Sequence, residues 1–297
     1  MASRSAPSFF RDLIHVAGLV LLLLVLLVVV TRFKVVHPSV IPGWQGVYCT
    51  YISESLGQKH STVGFIYGKD GLGDPEKLVD DLSKFRPTMR TELIRLDDVS
   101  AGALSRYEVV VLEKTHSVPF KTITALEKYL DNGGSLVWTG DALSNQTLDR
   151  RDLEEARQKN ATLPHFANNS GTGKDYYSWF VENSQDQHGF GDFGDRFVGA
   201  YLKNQRAGSG VTLKPIVQGH LLLAGIKETD LPPALTYSVV NQNPEADVLA
   251  NIDNGQETVP GILEMKYVGR IVYIAFPLES LNSTSFIDNV FDYLVTC

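Results

Sequence analysis

The apolar and polar positions divide the chain into one long apolar stretch near its start and a following region of short, alternating runs. From Leu13 to Val30 almost every residue is Leu, Val, Ile or Ala, and His15 is the one strongly polar side chain. These 18 residues would rise about 27 Å as a helix, which is close to the thickness of a bilayer core. The pattern therefore predicts a tail over 1–12, a transmembrane helix over 13–31 and a tether over 32–60.

A cleaved signal peptide is the alternative interpretation of this stretch, because Arg4 and Arg11 precede it as basic residues do in a secretory signal. The apolar run is longer than a usual signal core, and Thr31-Arg32-Phe33-Lys34 offers no small-residue cleavage site. We therefore expect an uncleaved anchor whose partner is the lipid bilayer. Basic residues on both sides of the span leave its orientation undetermined by the positive-inside rule.

Three observations favour an extracytoplasmic position for the region after the span. A lone N-terminal span commonly acts as a signal anchor. Four Asn-x-Ser/Thr sequences could accept glycans, at Asn145, Asn160, Asn168 and Asn282. After position 34, 33 acidic and 23 basic residues give a net charge of −10, which argues against nucleic acid and anionic lipid as partners.

Beyond residue 60 the pattern predicts one α/β domain over 61–297. Short apolar runs suited to buried strands alternate with segments whose apolar residues recur at helical spacing. The strands are predicted at Thr62–Tyr67, Glu92–Leu96, Glu108–Leu112 and Ser135–Thr139, and the helices at Pro75–Phe85 and Pro119–Asp131. This alternation is typical of a flavodoxin-like, doubly wound and mostly parallel sheet.

The alternation breaks over 142–210, which we interpret as an insertion that caps one edge of the sheet and carries a charged, exposed helix at Leu148–Lys159. After the insertion, the pattern predicts a return to the core, a further strand, a β-hairpin and a final helix capped by a serine. These elements are predicted at His220–Gly225, at Ala246–Ile252, at Ile262–Tyr267 with Arg270–Phe276, and after Ser283.

Three segments carry a resemblance to known proteins: Tyr107–Leu112, Tyr129–Gly140 and Tyr267–Pro277. They resemble parts of the class I glutamine amidotransferase-like superfamily, especially its ThuA-like and membrane-tethered relatives. Tyr107–Leu112, a helix and Tyr129–Gly140 are similar to that family's strand, helix and "nGG-lv-x-x-G" unit. Tyr267–Pro277 is similar to its "gkGrvvy" hairpin, which a closing helix follows. The resemblance covers about Ser61 to Val295, and it is more specific for the fold than for an activity.

Catalytic members of that superfamily keep a nucleophilic cysteine on a sharp turn directly after the strand that matches Leu136–Thr139. This sequence has Gly140-Asp141-Ala142 at that place, and its two cysteines are Cys49, in the predicted tether, and Cys297. The resemblance therefore implies a domain that lacks amidotransferase and cysteine-protease chemistry. The two cysteines could pair with each other or remain free thiols.

Acidic and imidazole side chains follow three of the predicted strands, at the carboxyl ends where open parallel sheets bind ligands. Asp70 follows the first strand, Glu113 and His116 follow the third, and Asp141 follows the fourth. Carboxylates and an imidazole that converge could hold a divalent cation or act as base and acid. The alternative is that Asp141 caps a turn and that His116 is an ordinary loop residue. No cofactor is predicted, since the Gly68–Asp74 loop lacks the Lys-Ser/Thr of a phosphate-binding loop and indicates a simple turn.

Aromatic residues cluster within the predicted insertion, at Tyr176, Tyr177, Trp179, Phe190 and Phe193. Because a sugar ring has an apolar face and a polar rim, aromatic faces beside Asp and Asn could form a carbohydrate-binding surface. The alternative is that these side chains pack the insertion onto the core. The aspartates among the nearby glycines do not match the EF-hand spacing, so no metal site is predicted.

Together these features favour a membrane-anchored, non-catalytic glutamine amidotransferase-like domain that binds a ligand, a protein or a carbohydrate at the cell surface. Two other hypotheses remain open. One is a surface hydrolase, directed at glycans in one version, that uses Asp141, Glu113 and His116. The other is an accessory subunit of a membrane complex, in which the span packs on partner helices.

Overall fold

The computed structural model describes residues 6–32, 41, 43–52, 62–87, 89–148, 150–163, 173–184, 187–281 and 283–295. The chain divides into two compact units. The smaller unit is Met1–His60 with Thr296–Cys297, and the larger unit is Ser61–Val295.

The smaller unit contains one long apolar helix, α1, over Ala6–Arg32. Its stretch Asp12–Thr31, of 20 residues, is long and apolar enough to cross a membrane. A short helix α2 at Trp44–Val47 continues as a π-helical turn at Tyr48–Ile52. The Trp44 Nε1 donates a hydrogen bond of 3.0 Å to the Thr31 hydroxyl, so the turn is joined to the end of the apolar helix.

The larger unit is built on strands that the alternating pattern predicts in part. The described strands are β1 Thr62–Tyr67, β2 Arg90–Arg95, β3 Val109–Leu112, β4 Ser117–Pro119, β5 Ser135–Thr139, β6 Asn145–Thr147, β7 Gln187–His188, β8 Gly199–Arg206, β9 Thr212–Pro215, β10 Thr229–Asp230, β11 Thr236–Gln242, β12 Asp247–Asp253, β13 Thr258–Lys266 and β14 Arg270–Ile274. Nine of them form the main sheet, in the order β10-β9-β12-β13-β14-β5-β3-β1-β2.

The part of this sheet from β14 to β2 is parallel throughout: β14 pairs with β5, β5 with β3, β3 with β1, and β1 with β2. The predicted hairpin of β13 and β14 continues the sheet in antiparallel pairing, and β12, β9 and β10 extend it. The flavodoxin-like α/β fold is therefore confirmed, with an antiparallel extension beyond the hairpin.

Helices connect the parallel strands. Those of the larger unit are α3 Pro75–Phe85, α4 Ala101–Leu104, α5 Phe120–Asp131, α6 Arg150–Thr162, α7 Tyr176–Ser184, α8 Gly191–Phe197 and α9 Thr284–Leu294. α3 begins with a proline in its first turn, and the Asp74 side chain accepts from the Lys77 amide as its N-cap. The predicted cap Ser283 accepts from the Phe286 amide at the start of α9.

The insertion packs on the middle of the main sheet, so the prediction that it caps a sheet edge is wrong. Trp138 on β5 is fully buried, and its ring centroid lies 4.4 Å from that of Phe190 and 5.4 Å from that of Phe193. Tyr273, the neighbour of Trp138 on β14, lies 5.8 Å from Phe190 as well. These four rings bury the start of α8 against the central strands.

Candidate functional site

The order of the parallel strands reverses beside β1, because the chain leaves β1 for β2 on one side and returns to β3 on the other. In open α/β sheets such a switch point, at the carboxyl ends of the strands, is where ligands bind. The loop after β1 contains Asp70, and the loop after β3 contains Glu113 and His116. The predicted site residues therefore come from the two loops that flank the switch point.

Backbone hydrogen bonds hold these two loops together. The Gly68 amide donates to the Lys114 carbonyl at 2.9 Å, and the His116 amide donates to the Asp70 carbonyl at 3.0 Å. Gly71 has a φ of +114°, and a Cβ there would lie 2.8 Å from the backbone nitrogen of His116. Close approach of the backbone of the β3 loop thus accounts for the glycines at positions 68 and 71.

Asp141 stands on the turn directly after β5 and is 5% exposed. Its Oδ1 accepts from the Leu72 amide at 2.9 Å, while its Oδ2 accepts from the Asn204 amide nitrogen at 3.1 Å and lies 3.1 Å from His116 Nδ1. Gly140, with a φ of +54°, turns the chain so that this side chain points toward the β1 loop. Asp141 therefore ties three segments, distant in sequence, to the end of β5.

Among the described residues, the side-chain contacts of the His116 ring all involve one nitrogen, Nδ1. Its Nδ1 lies 2.7 Å from Ser144 Oγ as well as 3.1 Å from Asp141 Oδ2. The Ser144 hydroxyl donates its proton to the Asp141 carbonyl at 2.6 Å, so this network requires Nδ1 to be the donor. Nε2 makes no hydrogen bond within the described part of the chain, and the His116 side chain is 35% exposed. Nε2 is consequently the atom that could accept a proton or a ligand.

The network continues away from the strand ends through polar residues of β8 and β11. Ser238 Oγ donates to Asn204 Oδ1 at 2.8 Å, which orients the Asn204 amide nitrogen toward Asp141. Burial, and then the negative charge of Asp141, raises the pKa of Tyr201. Ser144, Asn204 and Ser238 were not identified from the sequence.

Glu113 lies apart from this network, although it follows the same strand as His116. It is completely buried, and neither carboxyl oxygen has a hydrogen-bond donor among the described residues. A Cβ on Gly73 would lie 2.4 Å from Glu113 Cγ, so the β1 loop packs directly on it. Burial, and then the negative charge of Glu279, raises the pKa of Glu113 well above its ordinary value. Glu279 in turn accepts from the Asp74 amide at 2.9 Å.

Asp70 borders an open crevice at the carboxyl ends of β1 and β2. Its Oδ2 accepts from the Ser117 hydroxyl at 2.7 Å, and Asn145 Nδ2 donates to that hydroxyl at 3.0 Å. The crevice has a volume of about 450 Å³. Its described lining includes Lys69, Arg95 and Asp97 besides Asp70. This volume suits a small ligand.

The structure thus joins the side chains of His116 and Asp141 and leaves Glu113 in a separate buried pair. Asp70 meets His116 only through a backbone hydrogen bond, and its side chain is bonded to Ser117. Within the described residues no group of three or more His, Cys, Asp or Glu side chains is arranged to hold a metal ion. Both partners of His116 meet the same nitrogen, so Ser144, His116 and Asp141 do not form a proton relay, which needs one partner on each nitrogen.

Two of the five aromatic residues that were predicted to form a carbohydrate-binding surface are buried, so the prediction is wrong for these two. Phe190 and Phe193 are each 1% exposed and pack on Trp138, because the insertion needs an apolar contact with the sheet. Tyr176, Tyr177 and Trp179 on α7 are half-buried.

No protein-family model matches the sequence, and no curated protein matches it. Solved structures do match. A ThuA-like protein from Bacteroides uniformis shares 15% identity at a TM-score of 0.50, with 80% of this chain and 93% of that chain covered. A cold-adapted β-galactosidase from Rahnella sp. R3 shares 13% identity at a TM-score of 0.53, with 80% of this chain covered.

A GH42 β-galactosidase from G. stearothermophilus shares 15% identity at a TM-score of 0.50, with 80% of this chain covered. This chain spans about a third of the Rahnella enzyme and a similar part of the second β-galactosidase, at 32% and 30%. At these identities the similarity shows the fold alone. The chain therefore shares the fold of that ThuA-like protein.

Proposed function

We propose that this chain is a membrane-anchored, non-catalytic domain of the glutamine amidotransferase-like fold that binds a ligand or partner outside the cytoplasm. The observation that carries the proposal is the state of Asp141. It stands where the resemblance places a nucleophile, and hydrogen bonds from three segments use both of its oxygens. A carboxylate so engaged and so buried stabilises the turn and is not presented to a substrate.

The competing hypothesis is a surface hydrolase, and His116 is the side chain that it would need. Nε2 of the partly exposed His116 side chain could serve as a base, with Asp141 orienting the ring through Nδ1. Ser144, the hydroxyl that contacts the His116 ring, does so at Nδ1 and donates its proton to the Asp141 carbonyl. Nε2 therefore has no nucleophile beside it among the described residues. Glu113, which the hydrolase hypothesis also used, is enclosed between Gly73 and Glu279. These contacts support the binding role over hydrolysis.

Turnover measurements on the full chain test this choice. The protein is held in polyoxyethylene detergent micelles, which contain no glycosides, and is screened against chromogenic glycosides and esters. We expect no turnover above that of His116→Asn, which keeps an amide nitrogen near the Nδ1 position and removes Nε2. Glu76→Gln, on the exposed side of α3, is the control. Turnover that persists in the control and disappears in His116→Asn and in Asp141→Asn would overturn the proposal.

The anchor is the second part of the proposal. The apolar helix α1 is long enough to span a bilayer, and the large acidic excess after it suits an extracytoplasmic domain. The glycosylation argument is weaker than the sequence alone indicates. The side chains of Asn145 and Asn160 are half-buried and hydrogen-bonded, and Asn168 and Asn282 lie outside the described residues.

Protease protection in sealed vesicles of known orientation tests the anchor and its direction. The chain carries an epitope tag at each end, and the membrane fraction is washed at alkaline pH before digestion. We expect the C-terminal tag to remain in the membrane fraction and to be digested from the extracytoplasmic side. A C-terminal tag that is released by the wash, or that is digested from the cytoplasmic side, would contradict this part of the proposal.

A further inference from the structure

A second cavity, of about 490 Å³, lies between α5, α6, α7 and α8. It shares no described lining residue with the crevice beside Asp70. Gln146 lines it from β6, is 4% exposed, and donates from Nε2 to the Phe190 carbonyl. The Gln146 amide oxygen has no hydrogen-bond donor within the described part of the chain. This volume, with its buried polar group, is typical of a small-molecule site.

One wall of the cavity is aromatic. Phe120 on α5 meets Phe180 edge-on, with ring centroids 5.3 Å apart. Phe180 stacks on Tyr176 at 6.0 Å, and Tyr176 lies 5.9 Å from Trp179. All four rings line the same cavity. Aromatic faces attract cations, most strongly where the surroundings exclude water.

The charged part of the described lining is mostly acidic. Glu127, Asp152, Glu155 and Asp192 line the cavity together with a single basic residue, Lys159. Glu127, Glu155 and Asp192 form no ion pair within the described part of the chain. Acidic residues outnumber the one basic residue of the described lining, and this excess provides charge complementarity for a positive ligand. Arg196, which is not part of that lining, also acts electrostatically on Glu127.

A cation of the chain itself already sits at this wall. The Lys159 ammonium lies 6.0 Å from the centroid of the Tyr176 ring, at the limit of a cation–π contact. Lys159 is exposed, so its ammonium can leave the ring at little cost. The contact shows that the ring face is accessible to an ammonium group.

We propose that this cavity binds a small alkylammonium ion, with the ammonium group against the aromatic wall and beside the carboxylates. The inference rests on the binding role proposed above and supplies the chemistry of its ligand. A free small molecule fits better than a protein side chain because the site is a cavity of ligand size between four helices.

Titration calorimetry on the full chain, in polyoxyethylene micelles that contain no ammonium groups, tests the ligand. The probes are choline and n-butylammonium, and 3,3-dimethylbutan-1-ol is the neutral isostere of choline. We expect at least one ammonium to bind, and choline to bind at least tenfold more tightly than the alcohol. If neither ammonium binds, or if the alcohol binds as well as choline, the proposal is overturned.

Two neighbouring residues of α6 provide a matched pair for locating the site. Glu155 lines the cavity, whereas Glu154 does not and instead pairs with Arg150 at 2.9 Å. Both are exposed, so neither substitution threatens the fold. We expect Glu155→Gln to weaken ammonium binding about fivefold, since removing one charge about 4 Å away costs about 1 kcal/mol even in water. Glu154→Gln should leave it unchanged, and Lys159→Met should strengthen it. Equal effects of the two glutamine variants would place the ligand elsewhere and overturn the assignment.

The proposed ligand and the proposed non-catalytic role are tested by different assays, ammonium binding and turnover. Absent ammonium binding in a protein without turnover would overturn the ligand assignment and leave the non-catalytic role intact. Turnover that requires His116 would overturn the non-catalytic role, whether or not ammonium binds.

Discussion

The buried carboxyl pair of Glu113 and Glu279 allows a stability prediction whose sign depends on pH. Glu113 is fully buried without a donor, and Glu279 accepts from the Asp74 amide through one oxygen while its other oxygen is unpartnered among the described residues. Replacing Glu113 by Gln keeps the shape, removes the ionisable group and offers an amide donor to that unpartnered oxygen.

The magnitude follows from proton linkage. The pKa of Glu113 is raised well above 4.5, first by burial and then by Glu279. Below the unfolded-state pKa, both the folded and unfolded states hold the proton. As the pH rises toward the folded-state pKa, only the unfolded state releases the proton, so the free energy of unfolding falls by about 1.4 kcal/mol per pH unit. The stabilisation present at low pH is therefore fully lost once the pH has passed the folded-state pKa.

The assay is chemical denaturation of the full chain in micelles between pH 4 and pH 9, followed by tryptophan fluorescence. We expect Glu113→Gln to match the wild type near pH 4 and to exceed its free energy of unfolding increasingly toward neutral pH. The exposed Glu76→Gln should follow the wild type throughout. Parallel pH profiles for the wild type and Glu113→Gln, or a variant that is less stable at pH 8, would refute the reasoning.

Three further substitutions test the packing around the strand ends, each by the same denaturation assay. Asp141→Asn should cost about 1–3 kcal/mol, because its amide group would face the donor of Asn204; an unchanged midpoint would show that the network contributes nothing. Gly199→Ala should cost more than about 1 kcal/mol, since φ is +124° and the new Cβ would lie 1.9 Å from the Asn241 carbonyl. Trp138→Phe should cost about 1–3 kcal/mol through the lost indole hydrogen bond and the cavity, and a neutral result would argue against its role as the anchor of the insertion.

The parallel half of the fold could be predicted because its signals are local. Thr62–Tyr67 and Ser135–Thr139 are short apolar runs bounded by turn residues, and both strands have the predicted bounds. The hairpin of β13 and β14 follows from two apolar runs around Val268-Gly269, and the Ser283 cap follows from its position before an apolar helical face. Each of these elements needs only residues adjacent in sequence.

The pairing of β8 with β11 could not be predicted, because its signal is not local in the sequence. β8 has no sustained apolar alternation, and Leu202 on it is 58% exposed, so the strand exists through a partner whose paired residues lie 30 to 43 positions away in sequence. The same limit hid Asn204, which reaches Asp141 from 63 positions away. Composition also could not separate the two roles of the aromatic residues, because Phe190 on Trp138 and Trp179 beside a cavity have the same local pattern.

The turn at Asp141 explains how one insertion serves two cavities. The turn leads directly into β6, whose residues alternate between its two sides. Gln146 lines the aromatic and acidic cavity, while its neighbour Thr147 lines the crevice beside Asp70. β6 is therefore a wall common to both cavities, and the hydrogen bonds that Asp141 accepts fix the turn from which that wall begins. A nucleophile at this turn would have to remain accessible to substrate, whereas a buried carboxylate bonded on both oxygens can hold the wall in place. In this chain the turn after β5 supports the wall common to both cavities, in keeping with the proposed binding role.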